Sequence, residues 1–276
     1  MNREIKMIAL DLDRTTLNSN KEFSDTTVQI LNKAAKKGIF IVASTGRSFH
    51  SLPKQLFDIP AFSYAVTSNG AIITELKNSN IIYRNCHSKS VVLELLPLLR
   101  TSNLSVETFV NGKAYINAKE LSQIKSGEIT YRDAPYVIQT RTPVPDIFDF
   151  MEENAELLEN INLNFKTLEC RAMWLEKLSK MTGFKITSSY PYNIELGGTT
   201  TSKASALAFL LEQFSLKKEK LMACGDSLND LEMLSFAGLS VAMENAADEL
   251  KKHADFITDS NDNDGVAKAI SLYCLS

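Results

Sequence analysis

The chain has 276 residues, of which 44% are hydrophobic and 23% charged, a composition that suits one large or two modest globular domains. The formal charge of −3, without a basic stripe interleaved with aromatic residues, excludes nucleic acid as the main partner. Because no apolar run reaches membrane-spanning length and no signal sequence is recognisable, we expect a soluble, cytoplasmic protein without membrane association.

The first motif follows the first predicted strand. Residues 8–10 form an apolar run typical of a strand buried on both faces, and this run ends in Asp11 and Asp13. Because side chains alternate along an extended chain, both carboxylates point the same way, towards the sheet edge where α/β proteins bind ligands. The alternative interpretation is an ordinary polar turn closed by side-chain hydrogen bonds.

Strand and helix patterns alternate before residue 84 and after residue 190, but not between them. Ser24 precedes an amphipathic helix, and a short strand over residues 39–43 completes a unit that should cross over right-handed into a parallel sheet. Residues 84–190 instead mix helices and strands without paired acids at a strand end. We therefore predict an α/β fold, a doubly wound, mostly parallel, Rossmann-like sheet from residues 1–83 and 191–276, with an inserted α+β cap domain.

Local periodicity predicts further elements in both regions. A third strand covers residues 62–66, and residues 72–73 pair with residues 81–82 in a hairpin. In the insertion, a helix over residues 147–158 precedes a strand over residues 161–167. Four acidic residues are interpreted as the solvated face of a helix: Glu152, Glu153, Glu156 and Glu159.

Two segments favour a bound anion. Thr45 and Gly46 precede a helix predicted to begin near Ser48, and a close backbone approach at a helix N-terminus suits phosphate. Lys203 falls in the first turn of another predicted helix, where a cation is unfavourable by roughly 0.3–1 kcal/mol unless an anion lies nearby. Taken singly, the two segments also fit a simple helix cap and a solvated lysine.

Acidic residues recur at the end of a later strand. Asp226 follows a strand over residues 220–224, and Asp230 lies about one helical turn further along, although Asp and Ser also cap helices there. If they converge with Asp11 and Asp13, so many carboxylates need a cation, and oxygen ligands without His or Cys indicate Mg²⁺, with Mn²⁺ as a substitute. Together with a phosphate clamp, they suggest phosphoryl transfer through an aspartyl-phosphate.

The motifs also occur together in a known order. DLDRTTL, STGR, the lone Lys203 and GDSLND resemble the four motifs of the phosphatases of the haloacid dehalogenase superfamily. SNGAII, GLSVAMENA and DGVAKAI are similar to segments of its Cof-type members, which carry a large α/β cap of class IIB. The resemblance covers the whole chain.

The resemblance implies a role for each motif residue. The chain would be a Mg²⁺-dependent phosphatase, monomeric or homodimeric, that acts on a small phosphorylated metabolite chosen by its cap. A sugar phosphate is the default substrate, with pyridoxal phosphate and flavin mononucleotide as further candidates. The implied roles are nucleophile for Asp11, general acid and base for Asp13, phosphate or substrate binding for Thr45, Gly46, Lys203 and Asn229, and metal binding for Asp11, Asp13, Asp226 and Asp230.

Two positions depart from the family pattern. Arg14 stands where glycine is usual, and Thr16 replaces a usual leucine. If the loop needs a positive φ at residue 14, arginine strains it by about 1–3 kcal/mol. We expect the Arg14 side chain to face solvent, and the alternative is that it reaches a substrate anion.

Two other functions share the same motifs. A phosphotransferase or mutase would use the same aspartyl-phosphate but pass the phosphoryl group to another substrate instead of water. A non-catalytic phosphoryl-binding regulator also uses an acidic cluster with Thr and Lys, but it needs neither a lid nor the acid Asp13. These two features favour the phosphatase.

Overall fold

The apolar run before Asp11 forms the first strand of the structure, a computed structural model that describes residues 4–275. The strands are, in chain order, β1 (Met7–Leu10), β2 (Phe40–Ser44), β3 (Phe62–Thr67), β4 (Ile72–Glu75), β5 (Asn80–Arg84), β6 (Ser105–Val110), β7 (Lys113–Asn117), β8 (Arg141–Val144), β9 (Leu158–Asn164), β10 (Phe184–Thr187), β11 (Asn193–Gly198), β12 (Leu221–Gly225), β13 (Leu239–Ala242) and β14 (Phe256–Ile257).

The α-helices lie between these strands. They are α1 (Asp25–Lys36), α2 (Lys54–Asp58), α3 (Lys89–Arg100), α4 (Ala118–Ser126), α5 (Ala134–Thr140), α6 (Ile147–Glu153), α7 (Leu168–Ser179), α8 (Lys203–Gln213), α9 (Leu231–Phe236), α10 (Asp248–Lys251) and α11 (Gly265–Ile270). Among residues 4–275, none of them combines the length and the apolar character needed to cross a membrane.

The elements divide into two compact units. The first contains the residues up to Gly46, Leu52–Arg84 and the residues from Ser202 onward, and the second contains Arg47–Ser51 and Asn85–Thr201. The second unit thus extends further than the predicted insertion over residues 84–190. The reason is β11, which pairs with β9 and β10 of that unit, whereas residues 191–276 were predicted to belong to the first unit.

A mostly parallel sheet organises the first unit. Its strand order is β14-β13-β12-β1-β2-β3-β4-β5, parallel from β14 to β3 and antiparallel at β4 and β5. Every residue of β1 and β12 is buried, as expected for strands covered on both faces. The chain leaves β1 towards β2 on one side and returns beside it as β12 on the other, the arrangement that opens a crevice at the carboxyl ends. The predicted doubly wound α/β fold is confirmed.

Local signals in this unit mostly match the structure. The Ser24 hydroxyl caps α1 by accepting the Thr27 N–H, and the predicted hairpin forms from β4 and β5, although Ile72 and Ile73 pair with Arg84 and Tyr83 instead of residues 81–82. The helix predicted to begin near Ser48 is wrong: a 3₁₀ turn over Phe49–Ser51 precedes the short α2. Pro53 explains the difference, because its ring and its missing N–H interrupt a helix that would run through it.

The second unit contains a six-stranded sheet of order β10-β11-β9-β6-β7-β8, antiparallel except for β7 and β8. An apolar cluster that includes Val92, Met151 and Leu178 joins this sheet to α3, α6 and α7. Within the sheet, Asn162 lies opposite both Glu107 and Glu195, and all three are buried. The unit therefore buries both apolar and charged side chains.

Two sequence predictions in this unit are wrong. The helix predicted over residues 147–158 ends at Glu153, and the following strand begins at Leu158 instead of residue 161. Glu152, Glu153 and Glu156 are exposed as predicted, but Glu159 is fully buried on β9 and accepts the Gly112 N–H at 2.7 Å. Glu159 belongs to the strand that follows the helix, so the helical face predicted for the four acidic residues does not extend to it.

Candidate active site

Three buried carboxylates meet at the carboxyl ends of two neighbouring strands. Asp11 directly follows β1 and Asp226 directly follows β12, and the Asp11 N–H donates to the Cys224 carbonyl at 3.0 Å across the pair. Asp230 lies in the short turn after Asp226. One carboxylate oxygen from each aspartate lies within 4.8 Å of the others.

Lys203 supplies a buried positive charge to this cluster. It is the first residue of α8, whose N-cap Ser202 forms a reciprocal capping box with Ser205. Its Nζ lies 2.7 Å from Asp11 Oδ1 and 2.6 Å from Asp230 Oδ1. Burial alone would lower the pKa of Lys203, but the two carboxylates outweigh burial and raise it, so the ammonium stays charged.

The Asp230 carboxylate connects Lys203 to the main chain of the loop that contains Asp226. Its Oδ2 accepts the N–H groups of Asp226 and Ser227, both at 3.1 Å, while its Oδ1 contacts Lys203. Gly225 permits this arrangement, because a Cβ there would lie 2.6 Å from the Asp230 side chain. Both Asp230 oxygens therefore already have donors, which suits a residue that orients the lysine and the Asp226 loop.

Asp226 is held by groups on both sides. Its Oδ1 accepts the Thr15 hydroxyl at 3.2 Å, and its Oδ2 accepts the Ser227 hydroxyl at 3.0 Å. The Arg14 Nε lies 3.3 Å from the same Oδ2. Burial, followed by the Asp230 charge, raises the pKa of Asp226 to about 6, although these hydrogen bonds and Arg14 act in the opposite direction.

The charges of the cluster suit a divalent cation. Burial raises the pKa of Asp11 well above its usual range, the Lys203 charge opposes this, and the Asp230 and Asp226 charges add to it. Three carboxylates and one ammonium leave a formal charge of −2 in a buried site. Carboxylate oxygens are the ligands that Mg²⁺ prefers, so the residues present fit this ion.

The second aspartate of the first motif lies in the irregular turn Leu12–Thr16. Asp13 is half-buried, and among residues 4–275 its carboxylate is not part of the group whose oxygens meet within 4.8 Å. The Thr16 hydroxyl donates to the Asp11 carbonyl at 2.5 Å and closes the turn.

Thr45 and Gly46, two of the residues predicted to bind phosphate, directly follow β2 in the same unit. Thr45 is buried, its N–H donates to the Val66 carbonyl, and its own carbonyl accepts the Asn69 N–H at 3.0 Å. A Cβ on Gly46 would lie 3.0 Å from the Asn69 side-chain oxygen. Asn229 donates its amide to that oxygen at 3.1 Å, which joins this loop to the Asp226 loop.

Some residues of the site were not predicted from the sequence. Asn69 adopts a left-handed conformation, φ 56° and ψ 28°, and links Thr45 to Asn229. Among residues 4–275, the buried oxygens without a hydrogen-bond partner include Ser44 Oγ, Thr67 Oγ1 and Asn229 Oδ1. The signal for Asn69 was the SNGAII segment, since asparagine before glycine after a strand favours positive φ.

Comparisons with known proteins agree with the fold and the motifs. A sequence profile of haloacid dehalogenase-like hydrolases matches residues 8–270. The chain therefore belongs to the haloacid dehalogenase-like hydrolases, and the assignment made from the motifs is confirmed. The protein is a phosphatase, a phosphoric monoester hydrolase. Two similar proteins from Bacillus subtilis are named as phosphatases.

Three proteins that are similar to this chain come from Bacillus subtilis. The 5-amino-6-(5-phospho-D-ribitylamino)uracil phosphatase YcsE is 33% identical over 274 residues, 99% of this chain and 97% of that protein. A second protein of that name, YwtE, is 28% identical over 281 residues, 95% of this chain and 96% of its own. A solved haloacid dehalogenase-like hydrolase superimposes with a TM-score of 0.83 at 28% identity, covering 97% of this chain and 99% of the other.

Proposed function

We propose that the protein hydrolyses the phosphomonoester of a sugar or a similar polyhydroxylated metabolite, with Mg²⁺ as cofactor and an aspartyl-phosphate as intermediate. The observation that carries this proposal is the buried contact of Asp11 with Lys203 beside Asp226. A carboxylate nucleophile, a fixed cation for the phosphoryl oxygens and acidic metal ligands are the groups that such a reaction requires.

In the first step, one Asp11 carboxylate oxygen attacks phosphorus and the bond to the leaving oxygen breaks. Asp13, on the neighbouring turn, gives its proton to the leaving alkoxide. Lys203 and the Thr45–Gly46 loop hold the phosphoryl oxygens. In the second step, Asp13 takes a proton from water, which attacks phosphorus and releases phosphate and the free Asp11 carboxylate.

Asp11, Asp226 and the main-chain carbonyl of Asp13 would hold Mg²⁺, which would supply positive charge that stabilises the transferring phosphoryl group. Asp230 supports them by orienting the Asp226 loop. Lys203 favours the charged form of Asp11, because an ammonium 2.7 Å away opposes the rise in the carboxyl pKa that burial causes.

The names of the relatives support the substrate class. YcsE and YwtE are named as phosphatases of a compound that carries phosphate on a ribityl chain. A phosphorylated sugar or sugar alcohol is therefore the first class of compound to test. Pyridoxal phosphate and flavin mononucleotide remain in the panel, since flavin mononucleotide also carries phosphate on a ribityl chain.

The test is phosphate release from this panel with Mg²⁺ and with chelator, for the wild-type protein and Asp11→Asn. We expect release that depends on Mg²⁺ and a loss of at least about 10³-fold in Asp11→Asn. Asp58→Asn is the matched control, because Asp58 is an exposed aspartate at the end of α2. Turnover by Asp11→Asn at the wild-type rate would overturn the nucleophile assignment.

A second readout separates hydrolysis from transfer to another acceptor. Products formed in the presence of an added alcohol or sugar show whether the phosphoryl group goes to water. We expect inorganic phosphate as the product, whereas a phosphorylated acceptor in its place would indicate a transferase with the same nucleophile.

A further inference from the structure

Arg14 occupies a backbone position that disfavours a side chain. Its φ is 60° and its ψ is 9°, in the left-handed region that glycine adopts most readily. For a residue with a Cβ this conformation costs roughly 1–2 kcal/mol. The strain anticipated from the sequence is therefore present, and the arginine must be kept by contacts that glycine cannot make.

The first of these contacts joins Arg14 to the loop that follows β13. Its Nη2 donates to the Asn245 carbonyl at 3.2 Å, and the Asn245 side-chain amide donates back to the Arg14 carbonyl at 2.8 Å. The two residues are 231 positions apart, so this reciprocal pair ties the catalytic turn to a distant loop. The pair fixes the direction of a guanidinium whose side chain is still 68% exposed.

The second contact directs the same guanidinium at a proposed metal ligand. Arg14 Nε lies 3.3 Å from Asp226 Oδ2, the oxygen that also accepts the Ser227 hydroxyl. The other oxygen, Oδ1, accepts the Thr15 hydroxyl. Arg14 thus faces inward at its Nε although most of its side chain is exposed.

We propose that Arg14 is a positioning residue that holds the Asp226 carboxylate and weakens divalent-cation binding at the site. The inference rests on the proposed function, in which Asp226 is a metal ligand. A fixed positive charge beside a ligand repels an incoming cation and competes for the ligand oxygen. Because Arg14 is largely exposed, solvent limits the effect to about three- to tenfold in affinity, and salt reduces it further.

The test is Mn²⁺ binding followed by electron paramagnetic resonance of the free ion, a readout independent of turnover. We compare the wild-type protein with Arg14→Gln, Arg14→Lys and Asp226→Asn. Arg84→Gln is the matched control, because Arg84 is an exposed arginine of the same unit, at the end of β5. Thermal unfolding of each variant without metal shows whether it is folded.

We expect Arg14→Gln to bind Mn²⁺ about three- to tenfold more tightly than wild type at low salt, with the difference nearly absent at about 0.5 M salt. Arg14→Lys should stay close to wild type because it keeps the charge, and Arg84→Gln should not differ from it. A purely structural role of Arg14 would give no salt-dependent difference in affinity.

The outcomes separate the two proposals. Equal or weaker binding by Arg14→Gln, while the wild-type protein binds and Asp226→Asn does not, would overturn the inference about Arg14 and leave the metal site standing. If Asp226→Asn binds Mn²⁺ as tightly as the wild-type protein, the proposed metal site is overturned, and with it this role of Arg14. The same conclusion follows if the wild-type protein shows no saturable binding.

Discussion

The Nζ of Lys203 lies 2.6 Å from Oδ1 of Asp230, and both side chains are completely buried. Two buried charges in such contact offset each other, but each depends on the other for that compensation. The same ammonium also contacts Asp11, so one lysine neutralises charge on both the proposed nucleophile and the residue that orients the Asp226 loop.

Replacing Lys203 therefore tests stability as well as activity. Lys203→Met leaves two buried carboxylates without their cation, and we expect a loss of about 3–5 kcal/mol in the free energy of unfolding. Urea denaturation measures it. Lys252→Met is the control, since Lys252 forms an exposed pair with Glu249 and its replacement should leave the free energy of unfolding nearly unchanged. A similar small loss in both variants would contradict the assigned role of Lys203.

In the second unit, we expect the replacement of the buried Glu107 to lower stability as the replacement of Lys203 does in the first unit. Glu107 is fully buried and contacts Arg132 and, at 2.9 Å, Arg141. Burial would raise its pKa, but the two guanidinium groups outweigh burial and lower it to about 2. We expect Glu107→Gln to lose about 3–5 kcal/mol in denaturation experiments, because the buried Arg141 loses its carboxylate and Arg132 keeps only the ion pair with Glu120. Glu152→Gln is the control, because Glu152 forms an exposed pair with Arg100 and its replacement should leave stability nearly unchanged.

His87 predicts a pH dependence of stability. Burial lowers its pKa to about 4, although the hydrogen bond between its Nε2 and the Leu196 carbonyl acts in the opposite direction. The folded state therefore binds a proton less readily than the unfolded state, whose histidine has a pKa near 6.5. Its contribution is complete above about pH 6.5 and is lost as the pH falls towards 4, amounting to about 3 kcal/mol.

Denaturation of wild type and His87→Gln between pH 7 and pH 4 measures this contribution. Glutamine retains a donor for the Leu196 carbonyl but does not titrate, so its stability should fall less steeply with pH. Parallel curves for wild type and His87→Gln would contradict the assignment.

Gly70 packs against the start of α8, the helix whose first residue is Lys203. The φ of Gly70 is 102°, and a Cβ there would lie 2.0 Å from the Ser202 carbonyl oxygen, at the N-cap of α8. We expect Gly70→Ala to cost more than about 3 kcal/mol and to lower kcat. Gly127→Ala is the control, because Gly127 also has a positive φ, 80°, but open space around it. Equal losses in the two variants would show that backbone conformation alone matters.

Much of the fold could be predicted because the signals are local. Alternation of strands and helices, the Ser24 cap and the buried runs before Asp11 and Asp226 all reflect short-range preferences. The wrong predictions arise where a distant contact decides. Residues 193–198 look like any buried strand, and only their pairing with β9 and β10 places them in the second unit.

The same distinction applies to the site. The positions of Asp11, Lys203 and Asp226 on their elements follow from the sequence pattern, but their contacts do not. Asp230 accepts two main-chain N–H groups, and Arg14 turns its Nε towards Asp226, because of the way two separate loops pack. Helix and strand periods contain no information on such pairs of loops.

The pairing of β1 with β12 has a consequence for how the site forms during folding. Contacts that complete the site connect residues 192 positions apart in the case of Lys203 with Asp11, and 211 apart in the case of Thr15 with Asp226. Contacts between residues so distant in the chain form slowly, because the loop between them must close first. We therefore expect the carboxylate cluster to form late in refolding, and during synthesis Asp11 can meet its partners only after the chain has been made as far as Asp230.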